Sequence, residues 1–272
     1  MKKVSIILMA VAMVAFTACG NKKKSAQQAD GKAEQSFEQV QLEAHIQMQV
    51  DSIAALFSDK MPLPILKYAS DGSIVLTDKE KQIKPSYLIQ PSAVASTSTL
   101  MQKYRAVSLL ITDQQIAKLY DMNVDEYQAA LKKIVSEIND PAFKQFEGSK
   151  HDAGSLPGLI RSFYNDEVKN GRVNLFWELM GAFMIENMYV LSQNIDKFMP
   201  IFTDQDASDL TLRIFLIKQS VDQLVAYYPE LESLSKSMEP LYVLNAMDVA
   251  EFRSQLLEMK GQLEIVRNNL IK

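Results

Sequence analysis

The chain reads as an all-α protein, a bundle of about seven or eight helices with one small β-hairpin excursion, and three observations predict this. Apolar residues recur three and four positions apart through several long segments, the signature of helices with one buried face. Only nine glycines occur in 272 residues, about 3%, well under the usual ~7%, which suits helices better than turn-rich β-structure. Nine prolines fall between the periodic segments rather than inside them. Because a mid-helix proline costs ~3 kcal/mol, the stretches that avoid them are credible helices.

The central element is expected at residues 173–193, VNLFWELMGAFMIENMYVLSQ, which contains the single tryptophan, Trp177. Stepping about 100° per residue, Phe176, Leu179, Met180, Phe183, Met184, Met188, Val190 and Leu191 cover well over half of its surface. Asn174, Glu178, Gly181, Tyr189 and Ser192 form a narrow stripe interrupted only by Ile185. Such a helix is buried in a bundle or in lipid. Glu178, Glu186 and Asn187 argue against lipid, where an acid at mid-membrane costs at least ~2.5 kcal/mol.

The other elements follow in order. Residues 36–57 space Leu42, Ile46, Val50, Ile53 and Phe57 as a helix. The run ILKYASDGSIVLT alternates around Ser70-Asp71-Gly72, a hairpin signal. A long helical pattern covers 92–122, where Thr112-Asp113-Gln114-Gln115 has the form of a capping box that would break it in two. Asn123 and Glu126 cap a helix to residue 139, with Tyr127, Leu131, Ile134 and Ile138 inward. Residues 157–170 form a helix stopped by Gly171. Thr203-Asp204-Gln205-Asp206 opens a helix to 228, and Pro229 opens a short one to 237. The last helix, 248–271, repeats Val249, Phe252, Leu256, Met259, Leu263, Val266 and Leu270 as heptads. Arg253, Lys260 and Arg267 flank that seam, which predicts a partner helix within the bundle.

The N-terminus carries an address. Lys2 and Lys3 precede an apolar run, Val4 to Phe16, that ends in Thr17-Ala18 before the only cysteine, Cys19. A basic start, an apolar stretch of that length and small residues before the break make a secretory signal, too short to span as a helix of about 20 residues. Residues 1–18 are therefore read as a signal peptide. Residues 19–36 are read as a lipidated cysteine and polar tether, and 37–272 as a single helical domain. The ending FTAC resembles the bacterial lipobox, although Phe16 stands where leucine is most usual. The resemblance implies cleavage before Cys19, a thioether-linked diacylglycerol and an acylated amine, enough acyl chain for stable anchoring.

Together, the lipobox, the tether, the helical body and the segment FWELMGAFMIENMYVLSQ are similar to a class of predicted Bacteroidota-type lipoproteins. No activity attaches to that class, so the resemblance implies location and fold only. In such lipoproteins an acidic run after the cysteine marks surface export. Lys22, Lys23 and Lys24 stand there instead, so an outer-membrane lipoprotein facing the periplasm is expected.

Composition excludes several functions. A formal charge of −4 is not that of a nucleic-acid-binding chain. With two histidines, His45 and His151, and one cysteine, no zinc or di-iron pattern can be assembled. No phosphate loop or nucleophile elbow occurs. Ser233-Leu234-Ser235-Lys236 spells Ser-x-x-Lys without its companion motifs. Met180, Met184 and Met188 are read as core rather than as a Cu(I) site, and no cofactor or metal is expected. Asn187, set among apolar neighbours, must find a partner or cost ~1–3 kcal/mol. The polar stripe has two readings. It is either a solvated face or a ligand groove in which Glu178, Tyr189 and Asn174 supply hydrogen bonds and Gly181 leaves room. The functional expectation is a lipid-anchored envelope protein with a binding or scaffold role and an envelope partner. A small-ligand or peptide binder and an envelope hydrolase are the alternatives.

Overall fold

The computed structural model describes residues 36–56, 68–69, 72–146 and 156–271. The expected signal peptide, Cys19, all but the last residue of the tether, Ser70, Asp71 and His151 lie outside them. Among the described residues the α-helices are α1 (Phe37–Leu56), α2 (Asp78–Lys81), α3 (Pro91–Val94), α4 (Leu100–Leu119), α5 (Asp125–Ile138), α6 (Leu156–Lys169), α7 (Val173–Gln193), α8 (Ile195–Phe198), α9 (Asp204–Leu224), α10 (Glu232–Met238) and α11 (Val249–Asn269). Short 3-10 turns occupy Pro141–Phe146, Met199–Ile201, Pro229–Leu231 and Glu239–Val243. The all-α class holds, but the expected seven or eight helices become eleven among the described residues. The additional ones are the short helices α2, α3 and α8, of four residues each, whereas α10 is the short helix expected after Pro229. A single turn is too short for apolar spacing to reveal.

The expected hairpin is corrected, for no strand occurs among the described residues. The alternation itself is real: Ile74 and Leu76 are buried and Val75 between them is 82% exposed. It belongs to a segment that presses two side chains into the helices, and no strand pairs with it among the described residues. Thr77 then opens α2 with a capping box, accepting from Glu80 N while the Glu80 carboxylate accepts from Thr77 N.

Capping chemistry also corrects the long 92–122 pattern. The break falls after α3, where Thr99 and Gln102 form the capping box of α4. Thr112 and Asp113 sit inside α4 and are fully buried, because other helices satisfy them in place of their own backbone. Asn123 accepts from Asp125 N at 2.9 Å just ahead of α5, and Thr203 and Asp206 cap α9 as their spacing predicts. Gly171 stops α6 at φ +66°. Its N–H donates to Val168 O at 3.1 Å and that of Arg172 to Glu167 O at 2.8 Å, the paired bonds of a Schellman motif. The same pair ends α4, with Asp121 at φ +50° in the glycine position.

α7 is the hub. It packs most extensively on α4, and α11, α9 and α6 complete the ring around it, with α1 against α6 and α9 and α5 against α4. Met180, Met184 and Met188 are buried with Trp177 and Ile185 in this core. Edge-on aromatic contacts join the layers: Tyr104 on Phe143 (5.2 Å), Phe143 on Phe163 (5.1 Å), Tyr164 on Phe176 (5.1 Å) and Phe176 on Trp177 (5.0 Å). Each is worth ~0.5–1.5 kcal/mol beyond the area it buries. On α11, Phe252, Leu256, Met259, Leu263 and Leu270 face inward as the heptads require. No helix among the described residues is long and apolar enough to cross a membrane.

Gly181 leaves room, but for the protein itself. A Cβ there would lie 2.8 Å from Leu234 Cδ2 and 3.1 Å from its Cγ, so α10 closes directly over α7. Gly181→Ala is expected to cost about 1–2 kcal/mol by overpacking in spite of its better helix propensity. In a Leu234→Ala background the same change should be neutral or stabilising. Denaturant unfolding of all four proteins tests this, and an equal cost in both backgrounds would remove the close approach from the account.

Candidate functional site

The polar stripe of α7 is neither a solvated face nor an open groove. Glu178 is fully buried and receives two bonds from Arg105 of α4, Nε to Oε2 at 2.5 Å and Nη2 to Oε1 at 3.0 Å. Burial nevertheless outweighs Arg105 and keeps the Glu178 carboxyl above its ordinary pKa. Asn174 remains near the surface, donating to Glu230 Oε1 at 2.8 Å. Tyr189 is buried, its ring edge-on to Tyr87 (6.4 Å) and beneath the Arg267 guanidinium (5.0 Å). The expected ligand residues Asn174, Glu178 and Tyr189 are therefore not gathered around one opening, because α4, α10 and α11 cover the stripe between them. Asn187 finds its partners, donating to Thr112 Oγ1 at 3.1 Å and Phe183 O at 2.6 Å.

A second acid of α7 anchors a buried polar cluster. Arg267 of α11 reaches Glu186 through Nε (3.1 Å to Oε2) and Nη2 (3.2 Å to Oε1), and Asp113 of α4 through Nη2 (3.3 Å). All three residues are buried, and Ile89 N donates to Asp113 Oδ2 at 2.6 Å. Two carboxylates thus face one guanidinium. Burial, reinforced by the charge of Glu186, holds Asp113 well above the ordinary carboxylate range, while the Ile89 N–H and Arg267 only partly oppose it. Burial also raises Glu186 against the pull of Arg267. Two acids so close disfavour each other's ionisation, and the shared guanidinium opposes that repulsion.

The same composition recurs at the start of α7. Arg172 Nη1 donates to Asp140 Oδ2 at 2.8 Å, and the Tyr104 hydroxyl lies between Asp140 (2.7 Å) and Glu167 (3.3 Å). Burial and the neighbouring Asp140 charge push Glu167 up to about 8. Burial also acts on Asp140, but donation from Tyr104, Ala142 N and Arg172 outweighs it and holds that carboxyl low.

A cleft opens at the far end of α7. It has a volume of about 320 Å³ and is walled on one side by Ile83, Lys84, Pro85, Ser86 and Tyr87, and on the other by Tyr120, Gln193, Asn194 and Lys197, with Glu80 at its rim. Asn194 ties the walls together, donating to the Tyr87 hydroxyl at 2.5 Å and accepting from Tyr120 at 3.3 Å. Lys197 lies over the Tyr120 ring (5.3 Å) and donates to Glu80 Oε1 at 3.0 Å. Bonds from Thr77 N–H and hydroxyl, with that from Lys197, hold Glu80 down at about 2, so it remains anionic. The cleft is wired to the buried acids behind it. Ile89, two residues beyond Tyr87, is the residue bonded to Asp113, and Tyr87 packs on Tyr189 beneath Arg267.

A further cluster bears on hydrolysis. Ser235 donates to Asp222 Oδ1 at 2.6 Å, Tyr242 donates to Asp222 Oδ2 at 2.8 Å, and Lys218 bonds Asp222 and lies 3.4 Å from Ser235 Oγ. Burial raises Asp222, but these three donors outweigh it and hold its carboxyl below the ordinary value. A carboxylate so stabilised is a poor base for activating a serine. Ser233 and Lys236 stand on the exposed side of α10, where Lys236 pairs with Glu232 at 2.7 Å. Among the described residues no group of three histidine, cysteine, aspartate or glutamate side chains is arranged to hold a metal ion.

The sequence offered little sign of the cleft, whose residues come from segments read as loop and helix end. No family model, no curated protein and no solved structure matches the chain.

Two substitutions probe the buried charges. Glu178→Gln strands Arg105, whose side chain is 9% exposed, and should cost about 3 kcal/mol. The pair Arg105→Met with Glu178→Leu should restore most of it, since well-packed apolar residues replace buried ion pairs at little cost. A double variant no more stable than the single one would show that the pair does not act as a unit.

Glu167 gives a pH dependence of definite sign. Its folded pKa, about 8, lies above the ordinary 4.5, so the folded state holds the extra proton. Its contribution is therefore intact below about pH 4.5 and is lost as pH rises to 8. Wild-type stability should fall across that window by roughly 3 kcal/mol relative to Glu167→Gln. Unfolding curves for the two proteins that stay parallel from pH 5 to 8.5 would refute the assignment.

Proposed function

We propose that this chain is a cell-envelope protein, tethered to the membrane through a lipid on Cys19, whose helical body binds a small ligand in the cleft between Tyr87 and Tyr120. The observation that carries the binding reading is the tie through Asn194. Two aromatic side chains from distant segments are fixed at a set separation before any ligand arrives, the preformed concave and largely apolar arrangement of ligand sites. The envelope assignment rests on the N-terminal sequence, namely the basic start, the apolar run and the FTAC ending. The second carboxyl cluster and the Arg105–Glu178 pair serve the frame, and the low pKa of Asp222 beside Ser235 does not favour hydrolysis there.

A scaffold role is a second reading with its own observation. On the outer face of α11, Leu257 and Ile265 are 42% and 64% exposed, and Gly261 between them has no atom within 4 Å of where a Cβ would lie. That face suits a helix of an envelope partner. In crosslinked membranes, Ile265→Lys should lose any partner held there while leaving the cleft intact.

Cys19→Ser is expected to abolish incorporation of labelled fatty acid and retention in the membrane fraction. The helical circular dichroism signal of the body should not change, since the fold lies beyond residue 36. A wild-type protein that takes up no label, or is cleaved elsewhere, would remove the anchor. Native mass spectrometry of protein from solubilised envelopes should show a small bound compound that Ser86→Trp, which fills the cleft, eliminates.

A further inference from the structure

The charges around the cleft do not balance, and the imbalance selects among ligands. Lys197 and Glu80 cancel one another across 3.0 Å. The carboxylate of Glu80 is occupied besides, for its Oε2 accepts from Thr77 N at 2.9 Å and from the Thr77 hydroxyl at 2.8 Å. Lys81, next to the rim, is matched by Asp121 at 2.7 Å. Lys84 has no carboxylate partner among the described residues and stands exposed in the cleft wall. One positive charge is therefore left over at the opening.

The rest of the lining is an apolar bed. Tyr87 presents a half-buried ring, Tyr120 contributes what Lys197 leaves uncovered of a buried one, Pro85 adds an aliphatic surface, and Ile83 is 69% exposed. An isoleucine so exposed beside two aromatic rings gains by being covered. Gln193, the last residue of α7, and Asn194 also line the cleft. A helix C-terminus carries partial negative charge and is a poor place for an anion. The favourable position for negative charge is thus at Lys84, with an apolar body on the remaining lining. A volume of about 320 Å³ stands at the small end of the ~300–1,000 Å³ typical of ligand sites, which suits a small ligand.

We infer that the cleft takes a small monoanion with a planar apolar body, such as an aryl carboxylate or sulfonate, its charge met by Lys84 and its rings laid against Tyr87 and Tyr120. The inference rests on the reading of the cleft as the binding site and adds the chemical class. Lys84 supplies charge selectivity at an exposed position, so its effect is modest and salt-dependent. The tyrosines supply the shape.

Two probes of one shape and different charge separate these contributions: 1-naphthalenesulfonate and the neutral naphthalene-1-sulfonamide. Binding to the full chain in detergent is measured by equilibrium dialysis against the same detergent alone. The sulfonate should bind saturably, one per chain, and about fivefold tighter than the sulfonamide at low salt. Lys84→Ala should bring the sulfonate down to the level of the sulfonamide and leave the latter unchanged. Lys236→Ala, a change at an exposed lysine outside the cleft, should alter neither. Ser86→Trp should abolish both, with an unaltered circular dichroism spectrum as the control for folding. Equal binding of the two probes, both lost in Ser86→Trp, would overturn the anion class and leave the cleft as the site. Absence of saturable binding, or binding that survives Ser86→Trp, would overturn the cleft reading and the class with it.

Discussion

Two carboxylates on one helix, Glu178 and Glu186, are buried at the centre of the bundle, and the two helices that pack most on α7, α4 and α11, are placed by how these acids are met. An unpaired carboxylate in such a position costs several kcal/mol, so α4 must bring Arg105 to one acid and α11 must bring Arg267 to the other. The residues stand eight apart on α7, just over two turns. The two arginines therefore fix the relative height of α4 and α11 against α7, which apolar packing alone would leave free to slide. Asp113 adds a third constraint by drawing α4 to the same guanidinium as Glu186. The extended segment before α3 is then positioned in turn, because Ile89 donates to Asp113. Stability is not the main gain from such pairs; register is.

What could be read from the sequence was whatever apolar spacing records. The position of α7 came out residue for residue, and the inward faces of α5 and α11 followed from periods of three and four. Caps at Thr203 and Gly171 were legible because their chemistry is local. The failures share a cause. Asp113 looked like the start of a helix and Arg267 like a solvent-facing flank, since each residue taken by itself belongs at a boundary. Each lies inside only because the other is there, 154 positions away in the chain, and no window of neighbouring residues holds that fact. Glu178 was misplaced for the same reason, its partner being Arg105. The false hairpin came from the opposite error: the alternation at Ile74 and Leu76 was correct, but alternation does not reveal whether a second strand exists.

The cleft was not legible at all, and its construction explains why. Its walls come from the segment around Lys84 to Tyr87, from the last turn of α4 and from the end of α7, three places where periodicity stops. What makes them one site is Asn194, a residue that reads from sequence as an ordinary helix end. Behind it, Tyr87 meets Tyr189 edge-on and Tyr189 lies beneath Arg267, a line of contacts from the opening to the acid pair.

The length of the Arg267 bridge has a consequence for the order of assembly. A ribosome releases α4 and α7 long before it makes α11, and until then Asp113 and Glu186 have no counter-charge to bury. Docking α4 on α7 in that interval would bury two acids in an apolar seam without their guanidinium, at a cost of several kcal/mol. The core gains its full stability only once the last helix has been made, so the order of synthesis sets the order of closure.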